Sequence, residues 1–360
     1  MCASTRARRV TLPQGHDDVT ALLLAIYLEN IDLLGVSSVH GNSSAYWTSK
    51  NAARCLHAFG APNDVLVYPG AAKPLTRKVL YASDIHGEDG LGGVIGLLDP
   101  LSDELQSLYA TRADGTPINA LEGMAEAVRK AWDKGAGQQV TIVSCGPMTN
   151  IALFVSVYPD LLCAIEEFVF MGGGVGMGNR TSAAEFNIVC DPEACQIVLE
   201  CDVKKVMMPL NVTHTAIVTK DLHCQLRSPD SSSPLKDEEL PPSKTNLRNM
   251  LSTLIVFFAE TYRTTFGFQE GPPLHDALTI AYVANPELFK TKRHRVDVEL
   301  HGEHTAGETV VDMWDYRSCD DTWGVNGKNC LVVEAVEVNQ FFDMLFKCIA
   351  ECDKVSPLNH

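Results

Sequence analysis

The stretch VTIVSCGPMTNIALFVSVY, residues 140–158, places a short strand-like run directly before a helical one, with a Cys-Gly-Pro turn between them. VTIVSCG is rich in β-branched apolar residues, and TNIALFVSVY carries its apolar residues at helical spacing. The same alternation extends outward. Upstream, NALEGMAEAVRKAW reads as an amphipathic helix; downstream come EEFVFMGGG as a strand, DPEACQIVLE as a helix and VKKVMMPLN as a strand. Nearer the N-terminus, 18–30 reads as a helix, IDLLGVSSVHG as a strand, WTSKNAARCLHAF as a helix and DVLVYPG as a strand. Strand and helix in strict alternation predict an α/β fold, with an open, mostly parallel central sheet covered by helices on both faces.

The rest of the chain reads as additions to that core. SPDSSSPLKDEELPPSK, 228–244, is polar and proline-rich and is expected to be a surface loop excursion before a long helix around 245–263. After His275-Asp276 a further helix is expected, then RVDVELHG, GETVVDMW and NCLVVEAVE as strands and a closing helix around 339–352. We expect one domain over 10–355, preceded by a divergent segment 1–9. No internal repeat is visible.

The 360 residues are 46% hydrophobic and 21% charged, an ordinary globular composition, and the formal net charge is −16. Such an acidic balance argues against nucleic-acid or anionic-membrane partners, which require a basic face. No run reaches the roughly 18 apolar residues of a membrane span, and the N-terminus lacks the apolar core of a secretory signal. A cytoplasmic location is expected. The twelve cysteines include no C-x-x-C pair and read as reduced core thiols. Three N-x-[ST] sequons, at Asn42, Asn179 and Asn211, then need a reason other than glycosylation.

In open α/β sheets, ligands bind beyond the carboxyl ends of the strands. That rule selects His16-Asp17-Asp18, Gly41-Asn42, Cys145-Gly146, the Gly172–Asn179 loop with Glu185 and Asn187, and Asn211 to His214. Asp17-Asp18 at a helix start serves either as an N-terminal cap or as part of a hard-cation site, which needs further carboxylate from elsewhere. His275-Asp276, in a similar loop-to-helix setting, is the candidate supply; a buried structural histidine is the plainer alternative. The glycine-rich MGGGVGMGNRTSAAEFNIVCDPEA fits neither G-x-G-x-x-G nor G-x-x-x-x-G-K-[ST] in register. Asn179, Glu185 and Asn187 suit a polyhydroxylated neutral ligand such as a sugar instead.

Together, HDDVTALLLA, VHGN, DIHGEDGLGG, VSCGPMTNIA, MGGG…AEFNIVCDPEA, LNVTH and GPPLHDALTIAYV resemble, in order and spacing, the inosine-uridine preferring nucleoside hydrolases, with the fungal-type uridine ribohydrolases nearest in look. The resemblance covers nearly the whole chain from Gly15 onward. It implies calcium-assisted hydrolysis of the N-glycosidic bond of ribonucleosides on an open α/β fold, in a chain that forms dimers or tetramers. By position, Asp18 and Asp276 are implied as calcium carboxylates, Cys145 as a ligand through its backbone carbonyl, and Asp17 as facing both calcium and a ribose hydroxyl. Asn42, Asn179, Glu185 and Asn187 match ribose-binding positions, with Met171 lining the pocket. His86 and His275 match positions facing the base, where a protonated His275 would serve as general acid.

One departure stands against that pattern. The family opens on D-x-D-P-G-x-D-D, whereas alignment through Gly15 and Asp17-Asp18 places Thr11 and Pro13 at the two upstream aspartates and Gln14 at the proline. The second of those aspartates is, in the family, both a calcium ligand and the general base; a proline side chain is neither. A positioned general base is worth roughly 10²–10⁴ in rate. The preceding RARRV is also odd for a central strand, which should be apolar. Either the chain is a catalytically impaired nucleoside or ribose binder, or its first dozen residues stem from a misplaced start or exon boundary. Confinement of the change to residues before Gln14 favours the second.

Overall fold

The computed structural model describes residues 18–229 and 240–360, together with the backbone of residues 8–12. Eight strands form the central sheet in the order β3-β2-β1-β4-β5-β6-β10-β7. They are β1 (Arg8–Leu12), β2 (Ile31–Ser37), β3 (Val67–Tyr68), β4 (Val140–Ser144), β5 (Ile165–Met171), β6 (Lys204–Met208), β7 (Phe289–His294) and β10 (Cys330–Val336). The remaining two, β8 (Val296–Val298) and β9 (Thr309–Val311), pair only with each other, antiparallel. Within the large sheet every neighbouring pair is parallel except β10 with β7. The order 3-2-1-4-5-6 is that of a doubly wound sheet, whose direction of winding reverses between β1 and β4. Despite its arginines, Arg8–Leu12 occupies this central position, pairing with β2 on one side and β4 on the other.

Strand pleating separates the core into two layers. Val143, Val169, Val206 and Met208 face one side, against the helices Asp18–Tyr27, Ala45–Ala58, Ala277–Ala284 and Val338–Val355. Val140, Ile142, Phe168, Phe170 and Met207 face the other, against Ala120–Trp132, Thr149–Val157 and Pro192–Glu200. Helices on both faces explain why β4 is buried at all five positions and carries no polar alternation. A third, smaller apolar cluster, with Ala82, Ile85, Phe186, Phe258 and Tyr262, lies apart from both layers.

The expected strands and helices form, with two differences. FKTKRH is a strand that the sequence reading missed; it lies at the sheet edge, with exposed or half-buried residues between Phe289 and His294. RVDVELHG and GETVVDMW are strands, but they form the separate β8–β9 ribbon rather than extending the sheet. Most of the 228–244 excursion lies outside the described residues. The eleven described cysteines are free thiols and seven are buried. No helix among the described residues is long and apolar enough to cross a membrane.

Candidate active site

A cavity of about 270 Å³ opens where the strands end. Five of the parallel strands deliver residues to it or to its floor: β1 leads to Asp18, β2 to Asn42, β4 to Cys145, β5 to Met171 and the loop carrying Asn179, Glu185 and Asn187, and β3, through a longer excursion, to His86. His275 and Asp276 reach it from the turn before Ala277–Ala284.

The floor is acidic and closed to solvent. Asp18, Cys145 and Asp276 are each no more than 2% exposed, and one potential ligand atom from each lies within 4.8 Å of the others. Asp18 is the first residue of its helix, so both readings of the aspartate, as first-turn acid and as ligand, are compatible with its place. The third atom of that group is the Cys145 sulfur, and the two carboxylates supply the hard oxygen donors that a hard cation takes. The Cys145 thiol is turned to Thr279 Oγ1, at 3.6 Å, while its carbonyl accepts from Asn187 Nδ2 at 3.1 Å. Asp17 and Pro13 lie outside the described residues.

The polar wall is organised by capping. Glu185 precedes the helix Phe186–Cys190; its Oε1 accepts from the Asn187 N–H and its Oε2 from those of Gly173 and Ile188. Its carboxylate is thereby fixed in orientation. Asn187 donates Nδ2 to the carbonyls of Cys145 and Met171, which leaves its buried Oδ1 with no hydrogen-bond partner among the described residues. Asn179 accepts from the Phe186 N–H at 2.8 Å. The glycine run serves packing rather than phosphate: a Cβ on Gly173, at φ +75°, would meet Thr309 Cγ2 at 2.7 Å, and one on Gly174 the Met177 carbonyl at 2.3 Å. Asn211, another sequon, pins that loop by exchanging two hydrogen bonds with the backbone of Val175.

The opposite wall is aromatic. His275, 3% exposed, holds Tyr262 Oη at Nε2 and Thr213 Oγ1 at Nδ1, both at 2.7 Å. Burial, then the neighbouring His214, pushes its pKa down to about 3. Burial thus disfavours the protonated form that the family resemblance implies for a general acid, and a cation at Asp276 would act in the same direction. His86 packs against Phe258 with ring centroids 5.4 Å apart. Tyr262 and Phe266, on the long helix Asn246–Phe266, line the cavity, while Arg263 points away and pairs with Glu260. A pocket-facing stripe and a core-facing stripe share one helical period, so sequence alone does not separate these aromatics from core residues. Thr213 fell within the selected Asn211–His214 stretch, but its service to His275 became visible only in three dimensions.

Asn42, His86, Cys145, Met171, Asn179, Glu185, Asn187, His275 and Asp276 thus line this cavity, whereas Asn211 serves the neighbouring loop. A sequence model described as "Inosine-uridine preferring nucleoside hydrolase" matches residues 14–343. The chain is 35% identical over 340 residues to a probable ribonucleoside hydrolase of Dictyostelium discoideum, covering 94% of this chain and 92% of that one. It is 37% identical over 332 residues to the pyrimidine-specific ribonucleoside hydrolase RihA of Salmonella paratyphi A, covering 92% and 94%. Among solved structures, the fold is shared with a purine-preferring ribonucleoside hydrolase from Gardnerella vaginalis, with TM-score 0.78, 24% identity and coverage of 97% and 100%.

Proposed function

The chain belongs to the inosine-uridine preferring nucleoside hydrolase family, and from that premise we propose that this ribonucleoside hydrolase works on a divalent-cation floor, calcium by preference, with the ribose on its polar wall and the base on its aromatic wall. The observation that carries the reading is the buried group of Asp18, Cys145 and Asp276 beneath a cavity walled by Asn187 and His275. Asp17 would complete that group. Asp18 and Asp276, with the Cys145 carbonyl, would hold the cation, which would supply Lewis-acid chemistry toward the ribose hydroxyls and water.

The chain's own residues do the rest. Asn187 Oδ1 accepts a ribose hydroxyl, and Asn42, Asn179 and Glu185 border the sugar. As the glycosidic bond breaks, positive charge grows on the ribosyl ring, and the carboxylates of the floor and of Glu185 stabilise it electrostatically. On the other side the departing base must gain a proton. Tyr262 and His275 stand there as a hydrogen-bonded pair: the Tyr262 hydroxyl gives its proton to the departing base anion, and the resulting phenolate stays hydrogen-bonded to His275, whose ring Thr213 fixes. His86, Phe258 and Phe266 pack the planar base. Because the Salmonella relative is pyrimidine-specific, uridine is the first substrate to try, with inosine beside it.

Purified chain incubated with uridine or inosine and calcium, with released ribose assayed as reducing sugar, tests the proposal; absence of ribose with both would reject it. A second reading, favoured by Pro13, is a nucleoside binder with impaired turnover. Calorimetric binding of uridine without ribose release would support that reading, and turnover within about tenfold of ordinary relatives would exclude it.

A further inference from the structure

We propose that the Arg180–Asp84 ion pair at the cavity mouth sets which 5′-substituent a nucleoside can carry, admitting the free 5′-hydroxyl and refusing a 5′-phosphate. The inference rests on the ribose placement proposed above and goes beyond it to a pair of residues outside the floor and the proton relay. Arg180 Nη1 meets Asp84 Oδ2 at 2.9 Å, joining the glycine-rich loop to the short helix Ser83–His86, 96 residues away in the chain. Both side chains line the cavity, and at 35% and 56% exposure both still reach solvent.

The steric argument follows from the ribose itself. Its 2′,3′-diol is the natural partner of the acidic floor, and its base belongs on the wall of His275 and Tyr262. The carbon bearing the 5′-group is then left facing the remaining wall and the mouth, where Asn179 and Arg180 stand. Arg180 is held there firmly: the N–H groups of Asn179, Arg180 and Thr181 converge on the Ala184 carbonyl, and a Cβ on Gly178 would strike the same turn at 2.4 Å. Its guanidinium lies 5.9 Å from the Phe186 ring centroid.

An arginine in this position would grip a phosphate bidentately. Asp84 prevents it in two ways, by occupying the guanidinium and by presenting its own negative charge to an incoming phosphate. Glu185 behind it adds to the repulsion. Exposed ion pairs of this kind contribute little to stability, so its removal leaves the fold intact.

The test compares uridine with uridine 5′-monophosphate, in calcium, on the full chain. Asp84→Asn frees Arg180 and should raise the ratio of kcat/KM for the monophosphate over uridine at least tenfold; adding Arg180→Gln should return the ratio to the wild-type value. A ratio within twofold of wild type in Asp84→Asn, or one that stays raised in the double variant, overturns the proposal. Should the wild-type chain release no ribose from uridine, the proposed function fails separately, and the same ratio is read from calorimetric affinities for the two compounds. Equal affinities in all three proteins would then overturn the discrimination itself.

Discussion

The hydroxyl of Tyr262 lies 2.7 Å from Nε2 of His275, tying the long helix to the turn that carries Asp276. With Thr213 on the other ring nitrogen, the imidazole is held from both sides and enclosed. A histidine so placed works as one member of a chain of hydrogen bonds rather than as a free acid, and the two residues should be separable by mutation.

His275→Ala removes the ring that links Tyr262 to Thr213, and kcat should fall by roughly 10²–10⁴, the usual worth of a positioned acid or base. Tyr262→Phe deletes one hydrogen bond and keeps the aromatic wall, so a loss of roughly tenfold is expected, mostly in kcat. Steady-state kinetics with uridine checks both. Equal and small losses in the two variants would remove the pair from the proton path.

Stability should fall as the solution is acidified, for a reason visible in two other histidines. His40 is fully buried, with Nε2 3.0 Å from Thr149 Oγ1, and His223 is 7% exposed, with Nε2 2.8 Å from Ser252 Oγ. Burial lowers both pKa values to about 4, assisted at His223 by Arg227. Between pH 6.5 and 4 the unfolded chain takes up protons at these rings that the folded chain refuses, so each ring subtracts up to about 1.4 kcal/mol per pH unit in that window. Asp191, whose pKa burial raises, opposes the trend. Urea unfolding at pH 7.0 and 5.5 measures the slope, and His223→Gln should flatten it.

Much of this architecture is legible in the sequence because buried parallel strands advertise themselves. VTIVS is β-branched or small throughout and has no exposed position, because both sheet faces are covered. FKTKRH is opaque for the converse reason: an edge strand needs no apolar run, and its lysines mask the pattern. For the proposed site, Asp18, Cys145, Glu185, Asn187 and Asp276 are legible as candidates because each lies beside a strand end or a helix start. Phe258 and Tyr262 were not resolved, since Leu247, Leu251 and Leu254 use the same helix for the main core. Nor does sequence spacing bring Asp84 to Arg180.

Metal occupancy predicts a linked stability change. A site that binds calcium only in the folded chain adds about 2.7 kcal/mol when calcium stands at a hundred times Kd. The wild-type chain should therefore melt higher with calcium than with a chelator, and Asp276→Asn and Asp18→Asn should each abolish the difference while reducing ribose release by at least about a hundredfold. Differential scanning calorimetry with and without calcium provides the check. A calcium shift that survives both substitutions would place the ion elsewhere.

Pro13 bears on the chemistry most directly. The family resemblance implies that position 13 stands where an aspartate would ligate calcium and activate water, with the implied site positions from Asp17 onward occupied by fitting residues. If the site is otherwise complete, Pro13→Asp restores the missing base, and kcat should rise by roughly 10²–10⁴. The same carboxylate should tighten calcium, which calorimetry reads independently of turnover. Coupling supplies the control: in Asp276→Asn, where the floor is already broken, the added aspartate should give much less. A gain in calcium affinity without a gain in rate would mean that the new carboxylate reaches the ion while water activation fails elsewhere. No gain in either would show that residues 13–17 do not present position 13 to the floor, so that a side chain alone cannot repair the site.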